Sequence, residues 1–296
     1  MTRRVLVANA SGRLGKTVVE QLCSGEFGSF EVRALTDTLN DDAEDALSRG
    51  GATLVEADSL DADSLATAVD DVDAVFLTAD VGDSDAEALE TAGGALVDAA
   101  ERTDLSQFVY ASAAAAGDGT DVPKFEAVSA VERRVSELEL PWTVVRPAFL
   151  MQWFEEHRRG IESGTLTLPL DDDAPLYLVH VDDVGAMVAR VLADPDSFVD
   201  ETLELAADSY TLDDLATAFA EALGHDVTGV QTPMDVAREE LPEEHVALFA
   251  FVNGGGYEVD LDAVRDRYDV EFRSFETYLD TRWSGETAES SESTAD

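Results

Sequence analysis

Lysine is almost absent from this chain. Its 296 residues include two, Lys16 and Lys124, against 64 acidic residues, and the formal charge is −45. With no basic patch to displace counterions, direct nucleic acid binding through its own surface is disfavoured and none is expected. Cysteine is equally scarce. The single Cys23 rules out an internal disulfide and agrees with a reducing compartment. On a helix just past a glycine turn it reads as a small buried side chain rather than a redox centre. No uncharged apolar run approaches the roughly 18–20 residues of a membrane span, so no span is expected. Met1-Thr2-Arg3-Arg4 resembles a signal n-region, but the apolar run behind it is short and flows into the glycine turn. A cytoplasmic location is the expectation. The four histidines, His157, His180, His225 and His245, lie far apart with no Cys or His at ligand spacing, so no metal site is expected.

What is present is a globular composition, 45% apolar, under a heavy and evenly spread acidic charge. At low salt that charge repels itself and destabilises the compact state. At molar salt the Debye length falls to about 3 Å and the penalty largely disappears. An acidic, Lys-poor chain rich in Ala and Asp resembles a cytoplasmic protein of a salt-in halophile.

The chain is organised around Val5-Leu6-Val7-Ala8-Asn9-Ala10-Ser11-Gly12-Arg13-Leu14-Gly15. An apolar strand runs into a small-residue turn, and a helix follows from Thr17. In such a unit, backbone N–H groups and the helix N-terminus hold a pyrophosphate. Asn9 stands where the first glycine of G-x-x-G-x-x-G belongs, and Asn is the non-Gly residue that best tolerates positive φ. A rival reading exists. Ala10 to Thr17 is one glycine short of a P-loop, in which Lys16 and Thr17 would serve phosphates and Mg²⁺. Asp37 favours the dinucleotide, because it lies 22 residues after Gly15 at the end of the second predicted strand, where a ribose is read. A plain turn residue in the polar run from Thr36 to Asp42 is the alternative for Asp37.

Strands are predicted at 30–36, 52–57, 73–78, 107–112 and 142–146, the last stopped by Pro147. Helices are predicted between them, including 85–102 and 124–138. Alternating strands and helices with apolar strand centres mean a parallel sheet covered on both faces. Beyond Pro147 the rhythm changes to short strands, at 166–170, 176–181 and 203–206, with helices opening at Val181 and after Thr211. The acid pairs Asp182–Asp183 and Asp213–Asp214 read as helix N-terminal residues rather than metal ligands. Gln152, Trp153 and Phe154 are expected to line a cleft after the sixth strand, with a core role as the alternative for the two aromatics. His180 is the best histidine candidate for the cleft, against a satisfied strand-end residue.

With these elements in order, the sequence resembles the NmrA-like branch of the atypical short-chain dehydrogenases/reductases. The resemblance rests on the 9–15 turn, Glu56-Ala57-Asp58, Asp73 to Thr78, Phe108 to Ser112, Val145 to Phe149, and Val179 to Val184. It implies an α/β fold: a Rossmann-type doubly wound parallel sheet with a smaller C-terminal α+β domain. Residues 1–150 would form the NAD(P)-binding domain, with 176–195 returning to it, 151–283 the smaller substrate or partner domain, and 284–296 a disordered acidic tail. The implied cofactor is NAD or NADP. Asp37 suits ribose hydroxyls and repels a 2′-phosphate, while Arg13 could pair with one, and the balance leans to NAD. Asn9, Ser11, Gly12, Arg13, Leu14 and Gly15 would hold the pyrophosphate and Asp58 the adenine. Thr78, Ala79, Ser112, Lys124 and Pro147 would flank the nicotinamide half.

The sequence departs from its relatives at the chemistry. Short-chain dehydrogenases pair a Tyr with a Lys four residues later, the Lys lowering the Tyr pKa for proton transfer. Here the matching helix reads Lys124-Phe125-Glu126-Ala127-Val128, with Lys124 in the Tyr slot and Val128 in the Lys slot. Lys124 could reach the nicotinamide ribose or face solvent. Tyr110 points away by strand parity and reads as core. Three functions remain: a dinucleotide sensor acting through a regulatory protein partner, an NAD(P)H-dependent reductase of a small quinone-like substrate, and a sugar-nucleotide epimerase-like enzyme. The missing Tyr counts against the last.

Overall fold

The computed structural model describes residues 2–36, 47–58, 61–78, 85–114, 116, 122–256, 258–268 and 272–283. Asp37, Ala79 and the predicted acidic tail lie outside the described residues. The first half runs β1 (Arg3–Val7), α1 (Arg13–Ser24), β2 (Phe30–Thr36), β3 (Thr53–Glu56), α2 (Ala62–Val69), β4 (Ala74–Thr78), α3 (Ala86–Glu101), β5 (Gln107–Ala111), α4 (Pro123–Ser136) and β6 (Trp142–Pro147). The second continues with β7 (Phe149–Leu150), a 3-10 segment (Met151–His157), α5 (Arg158–Glu162), β8 (Thr165–Leu168), β9 (Leu176–Val179) and α6 (Val181–Ala193). It closes with β10 (Glu201–Leu205), β11 (Asp208–Tyr210), α7 (Leu212–Leu223), β12 (Thr228–Gln231), α8 (Met234–Glu240), α9 (Glu243–Asn253), α10 (Leu261–Arg267) and α11 (Phe275–Arg282).

Strand alternation builds the main body. Val5 and Val7 join one core with Val18 and Leu22 of α1 and Val184 and Val188 of α6. Leu6 and Ala8 join the opposite core with Leu65 of α2, Leu96 of α3 and Val128 of α4. Each of these buried Val and Leu side chains contributes on the order of 1.5–3 kcal/mol, which fixes the register of β1 against its neighbours. The result is a seven-stranded parallel sheet in the order β10-β6-β5-β4-β1-β2-β3. It has α1 and α6 on one face and α2, α3 and α4 on the other. The seventh strand, β10, comes from within the 151–283 stretch and pairs with β6, Leu205 standing opposite Pro147. Pro147 is thus the last residue of β6 rather than a residue beyond it.

Two smaller sheets, β11-β9-β7 and β12-β8, pack with α7, α9 and α11 around a separate aromatic-rich core holding Trp153, Phe154, Phe219, Phe249 and Phe275. Thr211 begins α7 as its N-cap, with Asp214 completing a capping box. In the main sheet the chain leaves β1 toward β2 and β3 and re-enters beside β1 on the other side as β4. That reversal makes the carboxyl ends of β1 and β4 the topological switch point of the sheet, the place where sheets of this kind form a ligand-holding crevice.

Candidate functional site at the carboxyl ends of β1 and β4

The turn after β1 is fastened to both neighbouring strands. The Ala8 N–H donates to the Phe76 carbonyl (2.8 Å) and the Ala10 N–H to the Leu35 carbonyl (3.1 Å). Asn9 takes φ 55°, the left-handed conformation expected of the residue in the first glycine's place. Its carbonyl accepts the Gly12 N–H (3.1 Å). Gly15 permits the tight approach of α1 to this turn. A Cβ there would collide with the Asn9 carbonyl oxygen and stand 2.9 Å from Ala10 Cα. Gly12 is the N-cap of α1, gives it no side-chain cap, and the first turn holds no acid. At several other helices an acid serves the start: Asp61 caps α2, Asp85 caps α3 and Asp260 caps α10. The α1 N-terminus therefore aims its free N–H groups and the positive end of its dipole into the crevice.

The P-loop reading does not fit this geometry. Thr17, 7% exposed, donates its hydroxyl to the Arg13 carbonyl (3.1 Å). Its methyl meets α6 at Gly185, where a Cβ would stand 2.6 Å away. Thr17 is a helix-packing residue and is not available to a magnesium ion.

Asp58, Thr78, Ser112 and Pro147 lie at or just beyond the carboxyl ends of β3, β4, β5 and β6. Asp58 is exposed just beyond β3, and its backbone N–H donates to the Ser64 hydroxyl oxygen at 3.3 Å. Thr78 ends β4, is buried, and stands opposite Ala111 of β5. Ser112 follows β5, but its hydroxyl donates to Glu132 Oε2 of α4 (2.5 Å). Glu132 in turn accepts Arg146 Nη2 (2.6 Å) and Nε (3.3 Å). This charge-assisted trio ties β5, α4 and β6 together close to where a proton-transfer pair would sit. Val128, in the lysine slot, is fully buried. Tyr110 is core, its hydroxyl facing the Val128 carbonyl at 3.4 Å, and burial raises its pKa. Lys124 is half-buried in the first turn of α4. Pro147 accepts the Ala114 N–H (3.2 Å), which brings the post-β5 segment to the end of β6.

Gln152, Trp153 and Phe154 do not line an open cleft. All three are buried, and the two aromatics pack into the second core, with Phe149 and Phe249 against Trp153 and Phe219 and Phe275 against Phe154. The apolar gain of sealing two large rings outweighs exposure at the cleft. Gln152 Oε1 accepts the Val181 N–H that opens α6 (3.1 Å).

His180 is a cap. Its Nδ1 accepts the Asp182 N–H (3.1 Å) and lies 2.9 Å from Arg273 Nη1, and burial lowers its pKa. Arg273 also bonds Asp182 Oδ2 (2.6 Å), while its backbone N–H donates to Asp183 Oδ2 (2.7 Å). Asp183 is 3% exposed, and burial pushes its carboxyl up to about 6. The 182–183 acids thus anchor the C-terminal segment. Among the described residues no cluster of three metal-type ligands occurs, and no helix is long and apolar enough to cross a membrane.

Glu132, Arg146, Glu156 and Arg273 are not singled out by any sequence motif. Glu132 had a local signal, since it lies two turns along α4 from Lys124 on one face, and Arg146 shares strand parity with Val144 and Tyr110. Arg273 and Glu156 act across 91 and 143 residues, which no local pattern encodes.

Sheet order, switch point and glycine turn together define a Rossmann-type fold. Residues 1–279 match the profile of the NmrA-like family, and the chain belongs to that family. An NmrA-like family domain-containing oxidoreductase of Aspergillus flavus is 22% identical over 86% of this chain and 85% of its own. Among solved structures, the chain is similar to the triphenylmethane reductase of Citrobacter sp. complexed with NADP(H), with TM-score 0.79 and 18% identity over 94% and 99% of the two chains. The NADPH-dependent quinone oxidoreductase of Escherichia coli complexed with NADPH gives 0.78 and 17% over 94% and 99%. NmrA, a negative transcriptional regulator, in complex with NADP gives 0.73 and 21% over 94% of each chain.

Proposed function

We propose that this protein binds a nicotinamide dinucleotide in the β1/β4 crevice and serves as an NAD(P)H-dependent oxidoreductase or redox sensor. The uncapped, acid-free N-terminus of α1, cradled by Asn9, Gly12 and Gly15, carries the reading. It is an anion site kept open in a chain with 64 acids. Backbone N–H groups from Ser11 to Gly15 hold the pyrophosphate. Asp37 and Asp58 take the adenosine side; Thr78, Ala79, Ser112, Lys124 and Pro147 frame the nicotinamide side. When bound, the cofactor supplies a hydride. This chain's own residues provide orientation and exclude water, but Ser112 is committed to Glu132 and Val128 cannot lower a neighbour's pKa. That commitment supports a sensor, or a reductase whose quinone-like acceptor needs no dedicated proton donor. A carboxylate at Asp37 favours NAD; the solved neighbours named with NADP(H) favour the phosphorylated form. The all-over acidity fits a cytoplasm at high salt.

The test is thermal melting in molar KCl with NADH, NADPH or ATP. Either dinucleotide should raise the melting temperature by mass action, about 2.7 kcal/mol of stabilisation at a ligand concentration of about a hundred times Kd. A shift with ATP alone would refute the reading. Quinone-dependent NAD(P)H oxidation that falls in Lys124→Ala would assign turnover, and no oxidation with intact binding would assign the sensor.

A further inference from the structure

The 3-10 segment 151–157 links the two bodies of the molecule, and its polar side chains pull in different directions. Gln152 holds the start of α6. Glu155 faces the C-terminal helix, accepting the Tyr278 hydroxyl (3.2 Å) and the Arg282 guanidinium (3.2 and 3.3 Å). Glu156, the next residue, turns to the glycine turn instead. Its Oε1 lies 3.3 Å from Arg13 Nη2, in the first turn of α1.

That position is unfavourable for a carboxylate on general grounds if the turn receives phosphate. In the dinucleotide reading the phosphates held by the N–H groups of α1 also draw the Arg13 guanidinium, for which Glu156 competes. The two side chains are 47% and 55% exposed. A pair that open is worth at most about 1 kcal/mol, so it exchanges readily for a stronger partner. A phosphate oxygen, already held by backbone N–H groups beside Arg13, is such a partner.

We infer that Glu156 is an internal competitor for the phosphates of the dinucleotide: it holds Arg13 in the unliganded protein and gives it up to phosphate in the liganded one. The inference rests on the dinucleotide reading above. It adds a specificity-determining residue and a route of report. Releasing Glu156 removes one of the ties of segment 151–157 while Gln152 and Glu155 keep theirs. Occupancy of the glycine turn is thereby felt by the segment that carries Trp153 and His157, whose rings lie 3.9 Å apart.

The experiment is calorimetric titration of the full chain with NADH and with NADPH, at the lowest KCl concentration that keeps it folded. Glu156→Gln should tighten binding about three- to fivefold, the fold-change that corresponds to an exposed ion pair. The gain should shrink in molar KCl. Tightening for both ligands assigns Arg13 to the pyrophosphate, and tightening for NADPH alone assigns it to the 2′-phosphate. Arg13→Gln should weaken binding and abolish the gain from Glu156→Gln in the double variant. Unchanged or weaker binding in Glu156→Gln, or a gain that persists without Arg13, overturns the inference while leaving the dinucleotide reading intact. A folded wild type that binds neither ligand overturns both.

Discussion

Two helices that pack against each other on one face of the sheet begin in opposite ways. The first turn of α6 is closed by its own chain. His180 caps it, Asp182 and Asp183 face its dipole, and Arg273 returns from the C-terminal segment to neutralise them. The first turn of α1 has no side-chain cap and no acid of its own, and it stands at the switch point between β1 and β4. In a chain of charge −45 an acid-free start is uncommon for a long helix, and α1 shares it only with the five-residue α5 among the α-helices whose first turns are described. The difference separates stability from function. The closed terminus fastens the C-terminal segment to the sheet, and the open one is where we propose that the dinucleotide binds.

The sharpest way to break the contrast is to spoil the open end. Gly15→Val puts side-chain atoms where the Asn9 carbonyl and Ala10 Cα stand, and should cost dinucleotide binding about a hundredfold or more, close to 3 kcal/mol. Asn9→Gly, which keeps the positive φ, should bind within about twofold of the wild type and serves as the control. Titration calorimetry on the two variants reads both values.

The closed end is probed by pH. Asp183 has a folded-state pKa of about 6 against 3.8 for the free group, because burial penalises its charge. The folded protein therefore binds that proton more tightly than the unfolded chain. The associated stability is present below about pH 4 and is lost as pH rises through 6. Asp183→Asn keeps an acceptor for the Arg273 N–H and removes the titration. Relative to this variant, the wild type should lose up to about 3 kcal/mol between pH 4 and 7 in denaturant melts. Dinucleotide affinity should stay the same. A constant difference across pH would mean that Asp183 is not held in the buried environment the structure gives it.

Most of the sheet was legible because it rests on period-two burial: Val5-Leu6-Val7 could only be a strand covered on both faces. Asn9 and Gly15 were legible for backbone reasons, one needing positive φ and the other the absence of a Cβ. The second body was read less well. Trp153 and Phe154 looked like cleft residues because sequence gives their place after β6 but not the rings that would close over them. The seventh strand, β10, was recognised as a strand, yet its pairing with β6 depends on a crossover that α6 makes from a distance. The Ser112–Glu132–Arg146 trio draws on three elements, and the Arg13–Glu156 pair on two ends of a long excursion. Such ties depend on tertiary geometry, so a linear pattern records the residues without their partners.

The open-versus-closed contrast is tested most directly by amide hydrogen exchange with and without NADH or NADPH. The amides of residues 11–15 should gain protection when the dinucleotide is present, and those of 181–185 should exchange at an unchanged rate. Equal rates at 11–15 with and without either dinucleotide, at concentrations that raise the melting temperature, would contradict the assignment of the α1 terminus as the binding site.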